Sequence, residues 1–124
     1  MMGLPPSALV IEDDPDINTL LCLLLTQAGF QVQAAADGDT GIALAQELTP
    51  DVVTVDLNMP GIGGVETIHR IRSITAGHIL LISASDDAPA IRAALAAGAG
   101  TFIAKPFRAR EILSVVRDLA GLGS

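Results

Sequence analysis

Val52-Val53-Thr54-Val55-Asp56-Leu57-Asn58-Met59-Pro60-Gly61 is the stretch on which the fold turns. Four residues, apolar at nearly every position and all β-branched, run into a carboxylate and then a Pro-Gly turn. A run this short reads as a strand buried on both faces, the kind found in parallel sheets covered by helices. Asp56 stands at its carboxyl end. Working outward, Ala8–Ile11, Gln31–Ala35, Ile79–Ile82 and Thr101–Ala104 read the same way, as four further strands buried on both faces.

Between these runs the apolar period becomes helical. Ile17, Leu20, Leu21, Leu24 and Ala28 fall on one helix face, with Asp14 at the N-cap, Pro15 at the first helical position and Gly29 at the end. A second helix is expected from Asp39 to Leu48. A third runs from Gly64 to Ile74 and buries Val65, Ile68 and Ile71. The fourth is the Ala-rich segment Ala88–Ala97, and the fifth, Arg108–Leu119, turns Ile112, Val115, Val116 and Leu119 inward. Strict alternation of strand and helix predicts an α/β fold, a doubly wound (βα)5 parallel sheet with helices on both faces. One domain over residues 8–120 is expected, with Met1–Ser7 and Gly121–Ser124 loose.

Composition narrows the function. The 124 residues are 50% hydrophobic and 17% charged, so a packed core is expected and disorder is excluded. Net charge is −7 with a pI near 4.4, which argues against direct nucleic-acid binding. Cys22, the single cysteine, lies among leucines and reads as a buried structural thiol. Met1–Ser7 lacks a basic segment followed by a long apolar one, and no apolar run approaches a membrane span, so a cytoplasmic home is expected.

Polar residues end other runs as Asp56 ends its own: Glu12-Asp13 the first, Ser83 the fourth, Lys105 the fifth. In an open α/β sheet these ends share one edge, where ligands bind. Three carboxylates there would repel unless a cation or a shared proton intervened. Oxygen ligands without His or Cys suit a hard ion, and Mg²⁺ is the candidate. Helix capping accounts for Asp14 but not for Glu12 and Asp13 facing the same edge as Asp56. His69 is expected near the solvent boundary of the third helix, and His78 has no metal-ligand spacing to any partner.

Val10-Ile11-Glu12-Asp13-Asp14, Asp56-Leu57-Asn58-Met59-Pro60-Gly61, Ser83-Ala84 and Lys105-Pro106-Phe107 together resemble the receiver domain of two-component response regulators, in order and spacing, over Ala8–Leu119. The resemblance implies the flavodoxin-like strand order 2-1-3-4-5. It implies that Asp56 is the phosphoacceptor, charged by a histidine kinase, a histidine phosphotransfer protein or a small phosphodonor. It further implies Mg²⁺ held by Asp13, Asp56 and the Asn58 carbonyl, with Glu12 acting through water. Ser83 and Lys105 would contact the phosphoryl group, Lys105-Pro106 would be cis, and Phe102 would be the switch aromatic. Output would leave by the fourth helix, fifth strand and fifth helix, toward an output domain or target protein. The chain would be a monomer or a weak phosphorylation-dependent dimer.

Departures from the family pattern are local. Ile62-Gly63-Gly64 lacks the usual Asp, which removes a cap from the third helix. Ser85, small, and Asn58 border the path of an attacking water. Gly100-Thr101 replaces the acidic pair by which one regulator branch dimerises. Among alternatives, a small-molecule phosphatase needs a second Asp where Asn58 stands. A flavodoxin-like cofactor binder needs a phosphate-cradling loop where Glu12-Asp13-Asp14-Pro15 stands. A phosphate sink or relay intermediate is the remaining variant of the receiver reading.

Overall fold

The computed structural model describes residues 4–119 and 121. The elements are β1 (Ser7–Ile11), α1 (Pro15–Gln27), β2 (Gln31–Ala35), α2 (Gly38–Leu48), β3 (Val52–Val55), α3 (Gly63–Arg72), β4 (His78–Ser83), α4 (Ala88–Ala97), β5 (Thr101–Ala104) and α5 (Ala109–Leu119). All pairings are parallel and the order is β2-β1-β3-β4-β5. The doubly wound α/β fold and its strand order are as the sequence implied. β1 opens at Ser7, so that residue is not loose; Met1–Gly3 and Leu122–Ser124 lie outside the described residues.

The pleat splits each strand between two cores. Ala8 and Val10 of β1 join Leu21, Leu24, Leu25, Ile112 and Val116 under α1 and α5. Leu9 and Ile11 join Val53, Val55, Ile68, Ile71 and Ala94 under α2, α3 and α4. Each wholly buried Leu or Ile side chain contributes about 1.5–3 kcal/mol, so this two-sided burial holds the sheet ends still.

Several expectations need correction. β2 and β5 are the edge strands and neither is buried on both faces: β2 exposes Gln31, Gln33 and Ala34, and β5 buries Ile103 alone and exposes Ala104. On α1 the buried stripe is Leu21, Leu24, Leu25 and Ala28, whereas Leu20 is 42% exposed and Leu23 58%. With leucine at five of six positions from 20 to 25, the apolar period is degenerate and only the neighbours choose the face. Cys22 is half-buried, not enclosed. α2 starts one residue earlier than expected, because the Asp37 carboxylate accepts from Thr40 N at 2.8 Å and caps it. α3 stops at Arg72 with Val65 only partly buried, and Ile62 supplies no side-chain cap, as the missing Asp predicts. His69 is exposed, as expected.

Arg72 was invisible in the sequence. Its guanidinium donates to the carbonyls of Gly98 at 3.2 Å, Thr75 at 2.7 Å and Gly77 at 2.5 Å. The α3–β4 and α4–β5 turns are thereby tied together, at the end of the sheet away from the carboxylates.

Candidate functional site

Main-chain pairing runs one residue past the strands and sets out the site. Glu12 N donates to Ala35 O at 3.0 Å, Asp56 N to Ile11 O at 3.3 Å, and Lys105 N to Ser83 O at 3.0 Å. Ile11 pairs with Val55, so Glu12 and Asp56 are the next residues on adjacent strands. Lys105 follows β5, two strands beyond β3, a span of roughly 10 Å at ordinary strand spacing. The four-carbon stem of lysine covers it. Nζ of Lys105, the chain's only lysine, lies 2.6 Å from Glu12 Oε1 and 3.2 Å from Asp56 Oδ2.

The remaining oxygens are held locally. Glu12 Oε2 accepts from Asp14 N at 3.1 Å, and Asp56 Oδ1 accepts from Asn58 N at 3.3 Å. Asp14 leaves the site, its carboxylate capping α1 through Asp16 N and Ile17 N. Glu12 is 2% exposed and Asp56 7%, while Asp13 and Asn58 are exposed. Ser83 is fully buried, its Oγ accepting from Ser85 N at 3.2 Å. Phe102 is half-buried in the core beneath α4, paired in register with Leu81. The Lys105-Pro106 peptide is cis.

Burial raises the pKa of Glu12; the hydrogen bonds from Lys105 and Asp14 N oppose this without cancelling it, and the nearby Asp56 charge adds to it. Burial works against the Lys105 ammonium, yet the hydrogen bond to Glu12 and the charge of Asp56 outweigh it, and the pKa lies above the usual 10.5. One oxygen each from Glu12, Asp13 and Asp56 lies within 4.8 Å of the others. Three carboxylates against one ammonium leave surplus negative charge, and the all-oxygen donor set fits a hard divalent cation that keeps some of its waters. A broad groove at the opposite end of the sheet, between Pro6, Pro50 and Gly77, touches none of these groups.

Of the site residues expected from sequence, Glu12, Asp13, Asp56 and Lys105 converge, Asn58 contributes its N–H, and Ser83 lies beside them through the Lys105 main chain. Sequence reasoning passed over Asn18 in α1, whose amide bridges Glu12 O and Ala35 O at 2.9 and 3.1 Å. The available signal was an amide set within the aliphatic run Ile17–Leu25.

A parallel five-stranded sheet with an acidic trio and a lysine at its carboxyl edge defines an open, doubly wound α/β protein whose polar groups gather where such folds bind ligands. The family model for the response regulator receiver domain matches residues 8–117, and the chain belongs to that family. It is 38% identical over 118 residues to the transcriptional regulatory protein AfsQ1 of Streptomyces coelicolor, covering 95% of this chain and 52% of AfsQ1. The chain spans about half the length of the curated relatives it matches. Among solved structures, the signal receiver domain of NarL from Mycobacterium tuberculosis superposes with a TM-score of 0.86 at 30% identity, covering 96% of this chain and 98% of that one. Chemotaxis protein CheY4 of Vibrio cholerae gives 0.86 at 27% identity, covering 94% and 99%. Among the described residues no helix is long and apolar enough to cross a membrane.

Proposed function

We propose that this receiver domain, residues 8–120, takes a phosphoryl group on Asp56 from a histidine kinase or histidine phosphotransfer protein, and passes the change to a partner. The observation that carries the reading is the meeting of Glu12, Asp13, Asp56 and Lys105 at one sheet edge. A carboxylate oxygen of Asp56 attacks phosphorus, the phosphorus–nitrogen bond of the donor breaks, and the electron pair leaves with the imidazole, which takes up a proton. Asp13, Asp56 and the Asn58 carbonyl would hold Mg²⁺, with Glu12 acting through water; when bound, the ion neutralises charge on the phosphoryl oxygens. Lys105 then pairs with one phosphoryl oxygen and the Ser83 hydroxyl donates to another.

The phosphoryl group adds about −1.5 to −2 charge at neutral pH. Movement of Ser83 toward it frees space for Phe102 to turn inward, which alters the face of α4, β5 and α5 offered to an output domain or target protein. Hydrolysis of the acyl phosphate by the domain itself resets the switch, in a monomer or a weak phosphorylation-dependent dimer of the cytoplasm. The relatives are about twice this length, and the change would pass either to an output domain like theirs or to a separate target protein. Intact-mass measurement after incubation with Mg²⁺ and a small phosphodonor is expected to show one added phosphoryl group, absent from Asp56→Asn. No mass gain in the wild-type chain would refute the reading.

A further inference from the structure

Asn18 sits one turn into α1, where an amide is unfavourable because it competes with the helix for main-chain partners. Here it reaches outward instead. Its Nδ2 donates to Glu12 O at 2.9 Å and to Ala35 O at 3.1 Å, spending both protons on the carboxyl ends of β1 and β2. The amide is itself oriented, since its Oδ1 accepts from Cys22 Sγ at 3.5 Å. Three segments therefore meet at one side chain: the end of β1, the end of β2 and α1.

The consequence for the acidic trio follows from peptide planarity. The carbonyl of Glu12 and the N–H of Asp13 belong to one rigid plane, so fixing the oxygen fixes the direction in which Asp13 leaves the strand. Glu12 and Asp56 carboxylates are steered by Lys105 and by main-chain N–H groups. Among the described residues no hydrogen bond holds the Asp13 carboxylate, which is exposed. Its placement rests on the main chain, held at Glu12 N by the ladder bond to Ala35 O and at Glu12 O by Asn18.

We infer that Asn18 is a positioning residue for the divalent-metal site, setting its affinity through the Glu12–Asp13 peptide. The inference rests on the reading that Glu12, Asp13 and Asp56 take Mg²⁺. Loss of such a supporting hydrogen bond typically weakens metal binding about 10- to 100-fold.

The test titrates Mg²⁺ into the wild-type chain, Asn18→Ala and Asn18→Ser, read by calorimetry and by amide NMR shifts at Asp13 and Asp56, with urea unfolding in EDTA alongside. Alanine keeps the helix favourable, and serine is too short to reach both carbonyls. Both variants are expected to bind Mg²⁺ at least about ten-fold more weakly, beyond any change in metal-free stability. Should Asn18→Ala fail to fold, Asn18→Ser carries the comparison. Folded variants whose Mg²⁺ dissociation constant stays within two-fold of wild type would overturn the inference and reduce Asn18 to a staple between strands. A wild-type chain that binds no Mg²⁺ would overturn the metal reading itself, and the inference with it.

Discussion

Replacing Lys105 with methionine removes the one cation from a site that buries two carboxylates. In the wild-type chain Nζ stands 2.6 Å from Glu12 and 3.2 Å from Asp56, and those acids are 2% and 7% exposed. Methionine keeps most of the stem and its packing, so the loss is chiefly electrostatic. Deleting one partner of a buried ion pair costs about 3–5 kcal/mol. The lysine side chain keeps 12% of its surface and the site opens to solvent at Asp13, which places this case near the lower end, about 3 kcal/mol. With a urea slope of about 1.5 kcal/mol/M, the unfolding midpoint should fall by about 2 M in EDTA at pH 7.

The deficit should depend on pH in a definite sense. Glu12 already has a raised pKa from burial, and without the ammonium it rises further. A raised pKa in the folded state means that the folded chain binds the proton more tightly than the unfolded one. Stability is then fully present below the ordinary 4.5 and is lost as pH rises through the folded value. Lys105→Met should therefore be weakest at pH 7 and approach wild type as the pH is lowered toward 4.5. Millimolar Mg²⁺ should restore part of the loss at pH 7, since binding to the folded state alone stabilises it. Urea midpoints at several pH values, followed by circular dichroism, make the measurement. A variant within about 0.5 kcal/mol of wild type at pH 7 in EDTA, the ordinary scatter of surface substitutions, would refute the reasoning, as would a gap that widens on acidification.

Thr54, 1% exposed in β3, buries a hydroxyl that finds no hydrogen-bond partner among the described residues; Thr54→Val should stabilise the chain by about 1 kcal/mol, seen as a higher melting temperature. Gly64→Ala should destabilise it by about 2 kcal/mol or more, because a Cβ there meets the Asp56 carbonyl and comes within 2.7 Å of Leu57 Cα, and urea unfolding reads the cost. Asp37 caps α2 through Thr40, which lowers its pKa below 3.8, so its contribution is present above that value and fades as pH falls through the folded one. Carboxyl NMR titration should place Asp37 below the ordinary value, and Thr40→Pro, which removes the donor N–H, should return it upward.

Fold class and the residues that gather at the candidate site were legible in the sequence because both depend on local order. A strand's end is marked by where its apolar run stops, so Glu12, Asp56, Ser83 and Lys105 announce themselves one by one. Parallel connection then brings strand ends to a common edge whatever the details of packing. The Asp14 cap is local too, since its carboxylate engages only the N–H groups two and three residues on, those of Asp16 and Ile17.

Other features depended on neighbours that no local pattern specifies. The leucine run of α1 fits several helix faces, and only contact with the sheet and α5 buries Leu25 and leaves Leu20 and Leu23 in solvent. β2 and β5 read like their fellow strands, yet their places at the two sheet edges decide their exposure. Sequence alone put a lysine and three acids at strand ends. Tertiary structure decided that the lysine reaches across β4 to join Glu12 and Asp56, and that Asn18 holds the peptide from which Asp13 departs. The reason is range: periodicity and capping act over a few residues, whereas a side-chain hydrogen bond across strands exists only once the sheet has set its partners side by side.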